Sequence, residues 1–337
     1  MRYIFEVFFM RAWLLHRQIG LEGMSLGELP DPTPGEGEVL LGVRLAALNP
    51  ADRYLAEGQY PGKPPLPHVL GRDGIGTVLA TGPGVSGVSA GDRRIILRGE
   101  TGVTRPGTLA EKVVVPAASL VASPEGWTDE QAAGATLVYL TAWQAITQWP
   151  ELPTTATVLV SGASGGVGVA AVQLAHAMGH RVIALSRSEQ KSRVLREQGA
   201  DFTVDPSGAG WAESVRSFLG RDRVDLFIDN IGGRAFNDGL GLLGMNGRVS
   251  CVGRLAGPVP DFNTASLFFR RLRIGGVAVG TYSNAEARDA WSALLAAMAK
   301  TGARPLVDSV WPFERLMDAF GRLASGPLGK VLVRVGG

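Results

Sequence analysis

The stretch VLVSGASGGVGVAAVQLAHAMG, Val158–Gly179, holds the residues best suited to bind a charged ligand. An apolar run ends at Ser161, glycines follow, and an apolar helix pattern opens after them. Glycine lets the backbone approach a pyrophosphate closely, and a helix N-terminus offers unpaired N–H groups with a partial positive charge. Read as A-x-G-x-x-G, the fingerprint falls on Ala163, Gly165 and Gly168, with Ser164, Gly166 and Val167 completing the turn. Ala163 then stands where a tight-turn glycine is usual, while Gly165 and Gly168 keep close approach and helix–strand packing. A dinucleotide is the expected ligand. An ordinary glycine-rich turn is the alternative, and the strand–turn–helix context argues against it.

The end of the next strand distinguishes the two nicotinamide dinucleotides, about 20 residues on. RVIALSRSEQK places Ser186, Arg187 and Lys191 there, with no carboxylate before the following helix. A cationic pair suits a 2′-phosphate, so NADPH (NADP) is expected. Glu189 falls in the first turn of that helix, where it favours the helix dipole. Ligands in open α/β sheets bind at the carboxyl ends of the strands. That rule adds Asn230 in DNIGG, and Val252, Gly253, Arg254 and Leu255 in CVGRLAG. It also adds Val279 in RIGGVAVG. Arg254 reads equally well as a solvated loop arginine.

Metal chemistry finds little support. The chain has one cysteine, Cys251, so it forms no intrachain disulfide and has no cysteine cluster for a structural zinc. Cys251 lies in the apolar run RVSCVG and reads as packing. His68 is an imidazole without partners in sequence, read as a packing or surface residue. Trp143 and Trp149 read as packing residues near a helix.

These groups need a frame to hold them. The 337 residues suggest about two domains. With 45% hydrophobic residues, 19% charged and 46 glycines, the chain suits a glycine-turned α/β or β-rich enzyme. Early in the chain, short strands alternate with Gly/Pro turns, for example Glu38–Ala47, Gly76–Ala80, Arg94–Leu97 and Leu109–Val115. That texture predicts an antiparallel barrel or sandwich. From about Val158 to Tyr282 six apolar strands alternate with amphipathic helices, which predicts a doubly wound parallel sheet. Boundaries are expected at 1–135, 136–282 and 283–337, the last segment folding back onto the first. Ala132–Ile146 is too short to span a bilayer and reads as one buried helix.

A formal net charge of +2 with no run of basic residues makes nucleic acid an unexpected partner. The start, MRYIFEVFFMRAWLL, is interrupted by Glu6 and Arg11 and lacks a small-residue cleavage site. A start assigned too early is the favoured explanation, with a strand opening at Met10. Without disulfides, the cytoplasm is the default compartment.

Further motifs carry a resemblance. ALNPADRYLAEGQYP, LGRDGIGTV, GDRRI, GTLAEKVVVP, LTAWQAI, the glycine turn, DNIGG and GKVLVRV are similar to segments of the medium-chain dehydrogenase/reductase superfamily. The match is to its zinc-free quinone oxidoreductase and enoyl reductase branch, over essentially the whole chain. The resemblance implies a Rossmann domain inserted into a GroES-like antiparallel β-barrel domain, with the active site in the cleft. Zinc-dependent relatives carry a catalytic cysteine where this chain has Asn49, and a histidine in a G-H-E segment that here reads Gly71, Arg72, Asp73. Both metal sites are therefore expected to be missing. Tyr60 matches the branch's active-site tyrosine, which in enoyl reductases donates a proton, and Tyr54 is a second candidate. Asn49 is expected to orient nicotinamide or substrate, and Thr141 to contact the nicotinamide region. A homodimer through the RIGGVAVG edge is also implied.

Without a Lewis acid, a simple ketone loses its electrophilic help. Quinones and α,β-unsaturated carbonyls need less, because charge spreads over a conjugated system. An NADPH-dependent reductase of such acceptors is the leading expectation. A 2-enoyl thioester reductase, or a non-catalytic NADPH-binding sensor, are the alternatives.

Overall fold

The computed structural model describes residues 8–97, 99–258 and 261–336. Its residues form two compact units. The first begins with eight strands: β1 Phe9–Leu15, β2 Met24–Pro30, β3 Glu38–Ala47, β4 His68–Val69, β5 Asp73–Thr81, β6 Arg93–Ile96, β7 Lys112–Pro116 and β8 Leu120–Ala122. The second holds β9 Thr157–Val160, β10 Arg181–Leu185, β11 Phe202–Val204, β12 Val224–Asp229, β13 Leu243–Cys251 and β14 Arg273–Gly276. The chain then returns to the first unit with β15 Val307–Pro312 and β16 Lys330–Arg334. The expectation about the chain start falls on residues 1–7, outside the described residues; β1 opens at Phe9.

In the first unit, β3 is the organising strand. Its apolar alternation buries Val39, Leu41 and Val43 in one core, which Ala46 joins after a register shift, as a half-covered antiparallel strand requires. It pairs with β5 along one edge, and with β7 and β16 along the other. The sheet order is β15-β16-β3-β5-β6-β8, with β7 on β3, beside a three-stranded sheet β2-β1-β4. Register does the functional work here. Ala47 lies opposite both Asp73 and Leu332. The end of β3 and the starts of β5 and β16 are thereby gathered at one edge.

The second unit is a six-stranded, wholly parallel sheet in the order β11-β10-β9-β12-β13-β14. Strands buried on both faces read as continuous apolar runs, and Leu159, Ile183, Phe227 and Val249 share one buried cluster. Chain order reverses between β9 and β12, which makes the carboxyl ends there the topological switch point. This is the doubly wound fold. Among the described residues no helix is long and apolar enough to cross a membrane.

Two expectations are corrected. Segment 283–337 does not stay together: Glu286–Leu306 belongs with the sheet unit. The helix Asn284–Ala299 buries Trp291, Leu294 and Met298, and Gln173 Nε2 donates to the Arg304 carbonyl at 2.9 Å. An apolar helix stripe does not state which surface it will cover. The single helix over Ala132–Ile146 is two, Asp129–Ala133 and Thr136–Thr147. They break at Gly134, where a Cβ would lie 3.0 Å from the Lys330 side chain.

Candidate active site

The glycine turn leaves β9 at Val160 and enters the helix Gly166–Ala177. Its left-handed residue is Gly162, at φ +57°. Ala163 is buried and sits at no positive φ, so its methyl group costs no backbone strain. The tight turn therefore lies one residue earlier than the fingerprint suggests. Gly168 is needed for close packing, since a Cβ there would come 2.2 Å from the Gly162 carbonyl. At Gly165 a Cβ would meet only that carbonyl, at 3.5 Å, so the turn is open where a ligand would approach. Gly165 is the N-cap, and no side chain caps the helix there. Ser164, Gly166 and Val167 lie at this uncapped start.

The adjacent strand end is fixed by buried polar contacts. Ser161 Oγ donates to Asp229 at 2.7 Å, and Asp229 also accepts the N–H groups of Ile231 and Gly232. Asn230 Nδ2 donates to the Ser161 carbonyl at 2.8 Å, yet Asn230 Oδ1 is buried without a hydrogen-bond partner. An orphaned acceptor beside an open glycine turn fits a ligand that brings its own donor, as a ribose or a carboxamide does. Gly253 must be glycine, because a Cβ would lie 2.6 Å from the Asn230 carbonyl. Val252 N–H donates to the Asp229 carbonyl, while Arg254 and Leu255 are exposed beyond it. Val279 is buried in a short 3-10 turn, and Thr141 is half-buried in its helix. The residues at the turn thus fit a nicotinamide dinucleotide.

At the end of β10, Ser186 is buried and Arg187 exposed. Ser188 caps the helix Glu189–Glu197 by accepting the Lys191 N–H. No carboxylate ends β10. One follows β11: Asp205 is held below the usual carboxylate range by the Ser207 hydroxyl and N–H, with a smaller contribution from Arg187. Glu189 pairs with Arg196 at 2.7 Å, away from a ligand role.

The first unit gathers a different set. Lys330 is 4% exposed. Its ammonium donates to Asn49 Oδ1 at 2.7 Å and to the Leu48 carbonyl at 2.9 Å, and lies 3.4 Å from Asp73 Oδ2. Asn49 Nδ2 donates to Asp73 Oδ2 at 3.0 Å and to the Ala47 carbonyl at 3.3 Å. Asp73 Oδ1 accepts Thr136 Oγ1 and the Leu137 N–H. Burial pushes the Lys330 ammonium down, opposed by Asp73 and Asp52. Asp52 caps its own helix, Pro50–Ala56, by accepting the Asn49 N–H at 2.8 Å. Burial nonetheless raises its carboxyl to about 6, against that hydrogen bond and the charges of Arg72 and Lys330.

Tyr60 is half-buried, and its hydroxyl oxygen accepts Arg72 Nη1 at 2.9 Å. The guanidinium carbon lies 5.5 Å from the ring centroid, a cation–π distance. Tyr54 is half-buried on the helix Pro50–Ala56. Both amide hydrogens of Asn49 are used and its oxygen already accepts the Lys330 ammonium, which leaves one lone pair for a ligand's donor. Lys330, Arg72 and Thr136 were not among the expected site residues. The signal for Lys330 was a lone lysine opening an apolar strand.

The donor set at Asn49, Arg72 and Asp73 does not fit a zinc ion. The Lys330 ammonium already occupies the amide and carboxylate oxygens, and like charge repels a cation. Among the described residues no three His, Cys, Asp or Glu side chains are grouped to hold a metal. His68 is buried in β4 opposite Leu15, and burial lowers its imidazole. Cys251 is half-buried, and burial with the Asp229 charge pushes its thiol up to about 11. Trp149 donates to Ser250 Oγ and packs against Gly275.

Residues 35–125 match the alcohol dehydrogenase GroES-like domain, and residues 166–300 match a family described as zinc-binding dehydrogenase. The rat synaptic vesicle membrane protein VAT-1 homolog (Rattus norvegicus) is 33% identical over 322 residues, spanning 90% of this chain and 78% of its own. The quinone oxidoreductase of Thermus thermophilus, solved alone and with NADPH, is 32% identical with a TM-score of 0.82, covering 97% of this chain and 100% of that one. This chain belongs to the quinone oxidoreductase branch of the medium-chain dehydrogenase/reductase superfamily. As a member of that superfamily it is an oxidoreductase with a nicotinamide dinucleotide fold. Similar structures differ in the dinucleotide named: an NAD-dependent alcohol dehydrogenase of known structure is 33% identical, with a TM-score of 0.89 over 97% of this chain and 100% of its own.

Proposed function

We propose that this superfamily member is an NADPH-dependent reductase that acts on a quinone or an α,β-unsaturated carbonyl without a metal ion. The observation that carries the reading is Lys330, whose ammonium is hydrogen-bonded to Asn49 and salt-bridged to Asp73 where a Lewis acid would need those oxygens. Polarising an unactivated ketone then lacks its electrophile, so the acceptor must be electron-poor on its own.

When bound, the reduced nicotinamide supplies the hydride. The open turn at Gly165 and the uncapped helix behind it bind the pyrophosphate through backbone N–H groups. Arg187 and Lys191 meet the 2′-phosphate. Asn230 Oδ1 accepts from a ribose or carboxamide donor, and Thr141, Val252 to Leu255 and Val279 line the same ligand. Tyr60 donates its hydroxyl hydrogen to the oxygen that gains charge, with Tyr54 as a second contact, while the remaining lone pair of the Asn49 oxygen can accept only from a donor such as the carboxamide of the nicotinamide. Orientation and preorganised donors supply the acceleration. The cytoplasm is kept as the default compartment, and the exposed edge of β14 is proposed to pair two copies as a homodimer.

The test is NADPH and NADH oxidation with a small quinone, a cyclic enone, an enoyl thioester and no acceptor. Quinone and enone should be reduced, with NADPH preferred. Arg187→Ala should raise KM for NADPH about tenfold, the worth of one charge-assisted hydrogen bond, and leave NADH nearly unchanged. Equal effects on both would remove the NADPH assignment. Tight NADPH binding with no oxidation of any acceptor would make the protein a cofactor-binding sensor.

A further inference from the structure

We propose that Arg72 is the positioning residue that makes Tyr60 the proton donor of this reaction; the inference rests on the reductase reading above. Arg72 Nη1 donates to the Tyr60 hydroxyl oxygen at 2.9 Å, and its guanidinium lies over the ring. With one lone pair taken by Arg72, the phenol's own hydrogen remains to be given elsewhere.

The guanidinium is aimed rather than loosely placed. Its backbone is clamped between Gly71 and Asp73. Gly71 has φ +101°, and a Cβ there would come 2.5 Å from Thr108 Oγ1. Asp73 is buried and accepts from Thr136, Leu137 and Asn49. Among the described residues no carboxylate forms an ion pair with Arg72, although Asp52 feels its charge. Arg72 Nε is buried without a partner. The phenol oxygen is therefore the acceptor its charge serves.

An enone takes the hydride, two electrons and one hydrogen, at its β-carbon. The C=C electron pair moves toward the carbonyl and forms an enolate. Tyr60 gives its proton to the enolate and becomes a phenolate, which regains a proton from water. The products are the saturated carbonyl and the oxidised dinucleotide. The Arg72 hydrogen bond has a neutral acceptor in the ground state and gains an anionic one as the phenolate forms. It strengthens on the way to the transition state, so it acts on kcat rather than on binding.

The experiment uses the full chain with a cyclic enone and NADPH. It compares wild type, Arg72→Met, Arg72→Lys, Tyr60→Phe and the Arg72→Met/Tyr60→Phe double variant. Tm and the NADPH Kd are measured on each. Arg72→Met and Tyr60→Phe should each lower kcat by about 10²-fold, the lower end for a positioned general acid. KM, Tm and NADPH Kd should change less than about twofold or a few degrees. The double variant should be no slower than Tyr60→Phe alone, and Arg72→Lys should recover most of kcat. Multiplying losses in the double variant, or an unchanged kcat in Arg72→Met, would overturn the pairing while leaving the reductase reading intact. A wild type that reduces no acceptor overturns both. If Arg72→Met unfolds, the Lys variant carries the test: a kcat as low as that of Tyr60→Phe despite native Tm and Kd contradicts a role filled by charge.

Discussion

Lys330 directs its ammonium at one amide oxygen, one backbone carbonyl and one carboxylate, all in a region closed to water. Such a buried pair adds little net stability, because desolvation offsets the attraction, but removing one partner strands the other. Its effect is on arrangement: it fixes the Asn49 amide and consumes the oxygens that a cation would need. Asp52 sits next to this network and titrates within an accessible range. Its folded carboxyl, raised to about 6, lies above the unfolded value near 3.9. The fold therefore favours the protonated acid. That contribution is complete below about pH 4 and is lost as pH rises through about 6. Asp52→Asn keeps an acceptor for the Asn49 N–H and removes the titration. Denaturant titrations should show wild type losing about 1–3 kcal/mol relative to the variant between pH 4 and pH 7. A difference that stays flat over that range contradicts the assignment. Little of this network was legible in the sequence. Asn49 and Lys330 are 281 residues apart, and only the β3–β16 register makes them neighbours. Tyr60 and Asn49 were legible as candidates by resemblance, but their partners Arg72 and Lys330 were not.

At the scale of elements, strands and glycine turns were the most readable. The strand Glu38–Ala47 is found with the expected bounds, because its alternation marks one covered face. The six parallel strands were legible from the alternation of strand and amphipathic helix patterns. The misplaced tight turn has a simple cause: the fingerprint assigns roles by spacing, whereas the left-handed conformation here falls on Gly162. The strand β13 starts at Leu243, directly after its helix and ahead of the expected RVSCVG; Leu243 and Gly244 carry no signal that separates a helix end from a strand start. The edge strand β14 has a consequence for assembly. Ile274 is exposed there, as are Phe268 and Phe269 just before it. An unpaired edge flanked by apolar side chains is suited to pairing with its own copy. Sedimentation at micromolar concentration should give twice the chain mass, and Ile274→Lys should shift it toward monomer. A wild-type monomer contradicts the homodimer.

At the scale of the whole molecule, the two units divide the chemistry. The sheet unit carries the features that fit a dinucleotide: an open glycine turn, an uncapped helix and the orphaned Asn230 oxygen. The other unit carries a phenol backed by a guanidinium, and a lysine where relatives of the zinc-dependent kind need metal ligands. In the proposed reaction, hydride passes to an acceptor activated by conjugation and not by a metal. The most direct measurement is to assay purified enzyme for bound zinc, then compare reduction of a cyclic enone with reduction of the matching saturated ketone, before and after a chelator. The expected result is no stoichiometric zinc, turnover of the enone only, and rates unaffected by the chelator. One zinc per chain, with saturated-ketone reduction abolished by the chelator, would contradict it.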